Sequence, residues 1–166
     1  MSAAFTIAPE PFDGPAAKAL VAALDADLDE RYAGDTDVEG EPDYALLNVL
    51  STSVAPPHGV FLVARRGGVP VGCGALRPHH DGDGTAEIKR MYVVPEARGA
   101  GIARALLAAL EDEAVRLGYT RAVLETGTRQ AEAMAMYESS GYTLIANYGA
   151  YRDSPLSRCY EKTLVS

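Results

Sequence analysis

A glycine-containing turn between a strand pattern and a helix pattern constrains the fold of this chain more than any other feature. Residues 86–94 form the strongest strand pattern, which ends at Pro95 because proline has no backbone N–H for a sheet ladder. Apolar residues then recur on one face at helical spacing through residues 99–117. Gly99 and Gly101 lie at the junction, where they permit a sharp turn and a close approach of the backbone to a ligand.

The other patterns along the chain place this strand–turn–helix unit in a mixed sheet. Further strands are predicted at residues 5–8, 60–64, 69–76, 122–126, 142–148 and 159–165. Further helices are predicted at residues 14–32, 44–50 and 131–139. Hairpins come first, a strand–helix–strand crossover follows, and a hairpin closes the chain. We therefore expect an α/β fold with a mixed, mostly antiparallel sheet of about six to seven strands and about four flanking helices.

Length and charge limit the classes of protein to which the chain can belong. A chain of 166 residues fits a single domain, which we expect to span residues 1–166. Its 15 Lys and Arg against 23 Asp and Glu give a net charge of −8, which argues against nucleic acid and anionic membranes as partners. The N-terminus has no signal-peptide pattern, and Cys73 and Cys159 are too few for a disulfide framework. We expect a cytoplasmic protein with two buried thiols.

The backbone of the turn at residues 95–101 has the chemistry of an anion site. The first N–H groups of a helix have no partner within the helix, and the helix dipole adds positive potential there. Such a turn binds phosphate even in an acidic protein, with Arg98 as a charged support. The turn lacks the Lys and Ser/Thr of a P-loop, and Arg104 stands where a dinucleotide fingerprint has its third glycine. A tight turn without a ligand is the remaining alternative.

Two motifs in the second half of the chain resemble those of the GNAT N-acetyltransferase superfamily. Residues 98–103 match its coenzyme-A loop, R-x-x-G-x-A, and follow a strand as that loop does. Residues 133–142 are similar to its second signature, A-x-x-L-Y-E-x-x-G-F/Y. The resemblance covers most of the chain, from about residue 60 onward. It implies a GNAT-like sheet with a splayed parallel strand pair, and direct transfer of an acetyl group from acetyl-CoA to an amine without a protein nucleophile.

The resemblance also implies which residues hold acetyl-CoA. The pantetheine arm would lie along Met91 and Val93 like an added strand, and a strand N–H would polarise the thioester carbonyl. Gln130 departs from the family, since many members have Asn at this position. The implied cofactor-binding residues are Met91, Tyr92, Val93, Arg98, Gly99, Ala100, Gly101, Ile102, Ala103, Gln130 and Tyr137.

Two residues are implied as catalytic. Glu87 lies in an Ala-Glu-Ile tripeptide similar to the one that carries the general base in histone-acetylating members, so it would take the proton of the amine. Tyr137 matches the tyrosine that points at the thioester sulfur in the family, so it would donate a proton to the leaving thiolate. The alternatives are an ion pair of Glu87 with Lys89 or Arg90, and a core-filling role for Tyr137.

Other polar residues fit structural roles better than chemical ones. His79, His80 and the acidic turn at residues 81–84 favour a hairpin over a metal site, so we expect no metal. Cys73 fits a buried strand thiol better than a nucleophile. The loop at residues 148–153 either lines an acceptor site or is an ordinary polar connection.

We therefore expect an acetyl-CoA-dependent N-acetyltransferase that acts on the primary amine of a small molecule. Arg90 and Arg152 are compatible with an acceptor that carries a carboxylate, such as an amino acid. One alternative is a peptide or protein N-terminal acetyltransferase, because the acidic surface could attract a basic peptide. Another is a non-catalytic acyl-CoA-binding sensor module, which would have no need of Glu87 and Tyr137. A homodimer is left open.

Overall fold

A computed structural model describes residues 4–33, 53–79 and 84–164 of the chain. This part contains seven strands: β1 Phe5–Pro9, β2 Val60–Arg66, β3 Val69–Pro78, β4 Thr85–Val93, β5 Arg121–Gly127, β6 Thr143–Ile145 and β7 Ser157–Thr163. It also contains three α-helices, α1 Pro15–Arg31, α2 Ile102–Arg116 and α3 Ala131–Ser139, and two 3-10 turns, Pro95–Ala97 and Gly149–Tyr151.

The seven strands form one sheet in the order β1-β2-β3-β4-β5-β7-β6. Every neighbouring pair is antiparallel except β4 and β5, which are parallel. Helix α2 forms the crossover between these two strands, because parallel neighbours need a connection long enough to return along the sheet. The expected fold class, a mixed and mostly antiparallel α/β sheet, is confirmed.

Helices cover both faces of the sheet. Helix α2 buries Leu106 and Leu110 in a core cluster that includes Leu124 of β5. Helix α1 buries Leu20 in a second cluster with Phe61 of β2. Burying a leucine or phenylalanine side chain stabilises a fold by about 1.5–3 kcal/mol relative to exposure. The two clusters therefore hold helices on opposite faces, and side chains that alternate along each strand point to one cluster or the other.

The parallel strands separate part-way along their length, and this separation positions the site. β4 and β5 pair from their first residues as far as Ile88 and Leu124, and no further. Between Lys89 and Tyr92, β4 has an irregular register with β3, which marks a β-bulge. Arg90 in this bulge has φ 58°, a left-handed value that is uncommon for a residue with a side chain. Because a bulge bends its strand, the end of β4 turns away from β5.

Some predicted elements differ from the observed ones. The strand predicted at residues 142–148 ends at Ile145, and Asn147 beyond it donates hydrogen bonds from Nδ2 to the carbonyls of Ser154 and Ser157, at 3.5 and 3.1 Å. The helix predicted at residues 44–50 lies outside the described residues, and the described part has three α-helices rather than about four. No helix in residues 4–33, 53–79 or 84–164 has the length and apolar character needed to cross a bilayer.

Candidate active site

A cleft of about 510 Å³ opens between the end of β4, the start of α2 and helix α3. The separated end of β4 supplies one wall, so the cleft exists because β4 no longer pairs with β5 there. The lining residues are Met91, Tyr92, Val93, Ala97, Arg98, Gly99, Gly101, Ile102, Ala103, Arg104, Gln130, Glu132, Ala133, Ala135, Met136 and Tyr137.

The turn before α2 leaves open space beside its glycines. Gly99 and Gly101 line the cleft and have φ values of 84° and 82°, which residues with side chains rarely adopt. Gly101 is also the N-cap of α2. A Cβ added to either glycine would meet no atom within 4 Å, so the turn is not packed tightly against neighbouring atoms. Open space at a helix start favours an anion site over the alternative of a tight turn without a ligand.

All of the residues predicted to hold the cofactor line this cleft except Ala100, which packs against the core beneath it. The guanidinium of Arg98 is directed at the strand, since its Nε donates to the carbonyl of Val93 at 2.9 Å. The Oε1 of Gln130 accepts a hydrogen bond from the backbone N–H of Gly127 at 3.1 Å. Arg98 and Gln130 thus each bind backbone atoms of the protein, and the binding roles of the whole set stay predictions.

Tyr137 lies on α3 and lines the same cleft with 5% of its surface exposed. Its ring packs edge-on against Tyr142, with ring centroids 5.9 Å apart. Burial raises the pKa of the Tyr137 phenol, so the hydroxyl keeps its proton at neutral pH. A protonated phenol held by packing can act as a proton donor, and this role for Tyr137 stays a prediction.

A second cavity, of about 340 Å³, lies between the end of α1, the end of β5 and the loop before β7. Its lining residues are Leu28, Asp29, Tyr32, Glu125, Thr126, Gly127, Gln130, Tyr151, Ser154, Leu156 and Ser157. Gln130 lines both cavities, so the two lie next to each other on either side of this residue.

The second cavity contains two buried hydroxyl groups, the Tyr32 Oη and the Ser157 Oγ. A hydrogen bond from Ser157 lowers the pKa of the Glu125 carboxyl, and a hydrogen bond from the backbone of Arg129 lowers the pKa of Tyr32. Ser157 is 4% exposed. The end of α1 comes so close to β5 that a Cβ on Gly127 would collide with the ring of Tyr32. A hydroxyl oxygen has two acceptor lone pairs, so each of these hydroxyls keeps an acceptor for a ligand beside its interaction within the protein.

Glu87 is buried beneath this region and does not line either cavity. The Arg77 Nε donates to its Oε1 at 2.8 Å, and the Tyr148 hydroxyl donates to its Oε2 at 3.0 Å. Glu87 therefore forms an ion pair with Arg77 of β3, and its charge also raises the pKa of Lys89. Both carboxylate oxygens are engaged, and the role of Glu87 as the general base stays a prediction.

Sequence reasoning missed Glu125, which does line the second cavity. Burial raises the pKa of its carboxyl from 4.5 to about 7, while Lys89 lowers that pKa and Glu87 raises it further. The available signal was a carboxylate near the end of the apolar strand pattern at residues 122–126. Its alternation with buried Leu124 and Thr126 places Glu125 on the face of α1.

The remaining sequence candidates lie apart from the chemistry. His79 packs edge-on against Tyr148 with centroids 4.8 Å apart, and residues 80–83 lie outside the described residues. Within the described ranges, no group of His, Cys, Asp or Glu is arranged to hold a metal. Burial raises the pKa of the Cys73 thiol to about 12, which makes it a poor nucleophile. Arg90 and Arg152 lie 3.3 and 3.8 Å from aspartates and do not line the second cavity.

The structure thus has a sheet that separates between two parallel strands, with one cavity lined by β4 and a neighbouring cavity lined by β5. The chain belongs to the acetyltransferase (GNAT) family, whose sequence model matches residues 20–142. It is therefore an acyltransferase of the N-acetyltransferase type.

Similar proteins agree with this assignment. The IAA acetyltransferase of Azospirillum brasilense is 44% identical over 135 residues, which cover 81% of this chain and 85% of that protein. The crystal structure of a proposed acyl-CoA N-acyltransferase from Klebsiella pneumoniae has a TM-score of 0.78 at 32% identity, over 99% of this chain and 100% of that one. The PaiA N-acetyltransferase of Thermoplasma acidophilum, solved with coenzyme A, has a TM-score of 0.70 at 19% identity over 96% and 99% of the two chains, a likeness of fold alone.

Proposed function

We propose that the chain is an acetyl-CoA-dependent N-acetyltransferase that transfers the acetyl group directly to the primary amine of a small molecule. The observation that carries the proposal is the pair of neighbouring cavities that share Gln130, one lined by β4 and the other by β5 beyond the point where these strands separate. Direct transfer needs both substrates close together, and neighbouring cavities are the arrangement that it requires. A covalent route through Cys73 is disfavoured, because burial raises the pKa of that thiol.

The cleft of about 510 Å³ is the proposed site of the acyl donor. Its diphosphate would bind at the turn of Gly99 and Gly101, where there is open space beside a helix start. The backbone of Met91 and Val93 lies beyond the paired part of β4 and β5. It would bind the pantetheine arm as a sheet edge binds an added strand.

Tyr137 is the proposed proton donor to the leaving sulfur. Its raised pKa keeps the phenol protonated, and its burial against Tyr142 fixes the ring at the wall of the donor cleft. As the C–S bond breaks, the phenol would donate its proton to the thiolate and recover one from solvent or the amine. The phenol would act on the transition state, so the loss of its hydroxyl should lower kcat more than it lowers the affinity for acetyl-CoA.

The cavity of about 340 Å³ is the proposed site of the acceptor. Its size fits a small amine, and its lining comes from α1, β5 and the loop that holds Tyr151. The name of the Azospirillum relative, an IAA acetyltransferase, also supports a small-molecule acceptor. A peptide would have to enter the same cavity by its N-terminal residue.

The test combines two measurements on the same protein. Calorimetry should show binding of acetyl-CoA, and release of free thiol should rise above the no-acceptor rate with at least one small amine, with mass spectrometry showing the acetylated product. Thiol release with peptides alone would support the N-terminal acetyltransferase instead. Binding without thiol release for any acceptor would support a sensor module, and a lack of acetyl-CoA binding would refute the proposal.

A further inference from the structure

One carboxylate borders the opening between the strands and has no role in the proposal above. Glu125 directly follows Leu124, the last residue of β5 that pairs with β4. It is therefore the first residue of β5 beyond the separation of the two strands, and it lines the cavity of about 340 Å³. On β7 its sheet partner is Cys159. Glu125 thus lies in the second cavity and directly beside the point where the two strands separate.

The charged and titratable groups around Glu125 come from every element packed against it. They are Lys89 and Glu87 of β4, Ser157 and Cys159 of β7, Tyr148 before β7, and Tyr32 after α1. Burial raises the pKa of the Glu125 carboxyl to about 7, so the acid and the carboxylate are both populated near neutral pH. A general base works best in that condition, because it can accept a proton and then return it to solvent.

Two further polar groups share the cavity with Glu125. The Tyr32 Oη and Ser157 Oγ are buried side-chain atoms of residues that line it. Ser157 forms a hydrogen bond with the Glu125 carboxyl, and Tyr32 forms one with the backbone of Arg129. Ser157 is 96% buried, and it lies near Glu125. An ammonium group has three donors, and the carboxylate and these two hydroxyl oxygens are three acceptors. Because a hydroxyl oxygen has two acceptor lone pairs, both groups can also accept from a cationic amine beside Glu125.

We propose that Glu125 binds the ammonium group of the acceptor and removes its proton, with Ser157 and Tyr32 holding the same group. This inference rests on the proposed function. The carboxylate takes one proton from R–NH3⁺, and the freed lone pair forms the C–N bond to the acetyl carbon. The C–S bond breaks, and the thiolate receives the second proton lost by nitrogen, by way of Tyr137. The products are R–NH–acetyl, the free thiol and a proton, which Glu125 returns to solvent.

The charge of the cavity also selects a class of acceptor. Its described lining has two carboxylates, Asp29 and Glu125, and contains no Lys or Arg. Leu28 and Leu156 add apolar surface. A carboxylate on the acceptor would be repelled here, whereas an amine on an apolar body would be attracted. We therefore expect amines without a carboxylate to be better acceptors than amino acids.

The experiment compares an alkylamine, which is an ammonium ion at neutral pH, with an aromatic amine of similar size, which is uncharged. In the wild type, kcat/KM for the alkylamine should rise with pH through about 7. Glu125→Gln should lower that kcat/KM by about 10²–10⁴-fold, because general-base catalysis contributes about that much. The aromatic amine has no proton to lose before attack, so Glu125→Gln should lower kcat/KM for this amine by no more than about tenfold. Glu113→Gln, a carboxylate on the surface of α2 paired with Arg116, is the matched control and should match the wild type.

Each outcome decides between the two levels of the proposal. If the wild type acetylates no amine, the proposed function fails. If the wild type is active, Glu125 is not the base in two cases. In the first, Glu125→Gln lowers activity equally with both amines; in the second, it lowers activity with neither amine. Ser157→Ala should raise KM for the alkylamine with kcat nearly unchanged, and an unchanged KM would remove Ser157 from the acceptor site. Should Glu125→Gln not fold, a wild-type profile for the alkylamine that lacks a rise near pH 7 overturns the proposal by itself.

Discussion

The raised pKa of Glu125 makes the stability of the folded chain depend on pH, and Glu125→Gln should remove that dependence. Burial is the main cause of the raised pKa, because it disfavours the charged form of the carboxyl. The unfolded chain exposes the same carboxyl to water, where its pKa returns to about 4.5. Folding therefore carries an extra cost at any pH at which the unfolded chain has lost this proton.

The sign and size of the effect follow from linkage. Below about pH 4.5 both states are protonated and the cost is absent; it grows as pH rises and is complete above about pH 7. At about 1.36 kcal/mol for each unit of pKa, the full cost is about 3 kcal/mol, of which about 2.5 kcal/mol develops between about pH 5 and about pH 8.5. Removing the carboxylate also takes an opposite charge from Lys89, whose pKa burial already lowers. The net gain at high pH is therefore expected at about 1–2 kcal/mol.

The assay is urea unfolding followed by circular dichroism at about pH 5 and about pH 8.5, on the wild type, Glu125→Gln and Glu113→Gln. Relative to the wild type, Glu125→Gln should gain about 1–2 kcal/mol in free energy of unfolding between about pH 5 and about pH 8.5. For a chain of this length, this gain corresponds to about 2–8 °C in Tm. Glu113→Gln reports the general effect of removing one negative charge.

A result of the opposite sign would refute the reasoning. If the stability difference between Glu125→Gln and wild type is the same at both pH values, or falls at the higher one, the carboxyl is not held in a desolvated site. If Glu113→Gln shows the same pH dependence, the cause is the net charge of the chain and not the environment of Glu125. The measurement needs no substrate, so it tests the electrostatics of the cavity independently of catalysis.

Three further substitutions test the donor side and the buried ion pair. Gly101→Val should weaken acetyl-CoA binding at least tenfold by calorimetry. Gly118→Val is the control and should not weaken binding, because Gly118 has a similar left-handed φ and equally open space but lies at the other end of α2. Tyr137→Phe should lower single-turnover transfer by about 10²–10⁴-fold with unchanged acetyl-CoA affinity, and a wild-type rate would make Tyr137 a core residue. Glu87→Gln should cost about 2–3 kcal/mol in urea unfolding, because it leaves Arg77 unpaired. Because Glu125 is the proposed base, transfer by the Glu87→Gln variant should keep a pH profile like that of the wild type, whereas a rate that falls at neutral pH and recovers at high pH would assign the base role to Glu87 instead.

Local patterns predicted most of the fold because they are set by nearby residues. Helix α3 has the bounds that its apolar spacing predicts, and the turn before α2 lies where Gly99 and Gly101 place it. The parallel neighbours β4 and β5 follow from a strand–helix–strand order in the sequence. Their separation is different, since it depends on a bulge at Arg90, a residue whose type gives no sign of a left-handed φ. Only the family resemblance predicted that feature.

The residues of the proposed acceptor cavity could not be predicted from the sequence, for a physical reason. The environment of Glu125 is built from β4, β7 and the end of α1, which are far apart in the chain. The ion pair of Glu87 likewise depends on sheet register, which places Arg77 of β3 directly opposite it. A strand pattern predicts which face a side chain occupies, but not which charges from other strands share that face. The sequence thus singled out Glu87 through its Ala-Glu-Ile tripeptide, whereas no motif singled out Glu125.

The bulge in β4 allows chemistry from both faces of one sheet. Tyr137 belongs to the core cluster on the side of α2 and α3, and Glu125 lies on the side of α1. In a continuous sheet the backbone of paired strands would separate a proton donor on one face from a proton acceptor on the other. The left-handed Arg90 bends β4 away, and the Cys73 thiol donates to the Arg90 carbonyl at 3.1 Å, while the Arg90 guanidinium lies 3.3 Å from Asp25 of α1. Contacts from a neighbouring strand and from a helix therefore hold the strained residue in place, and the opening it creates is where we propose that the amine meets the thioester.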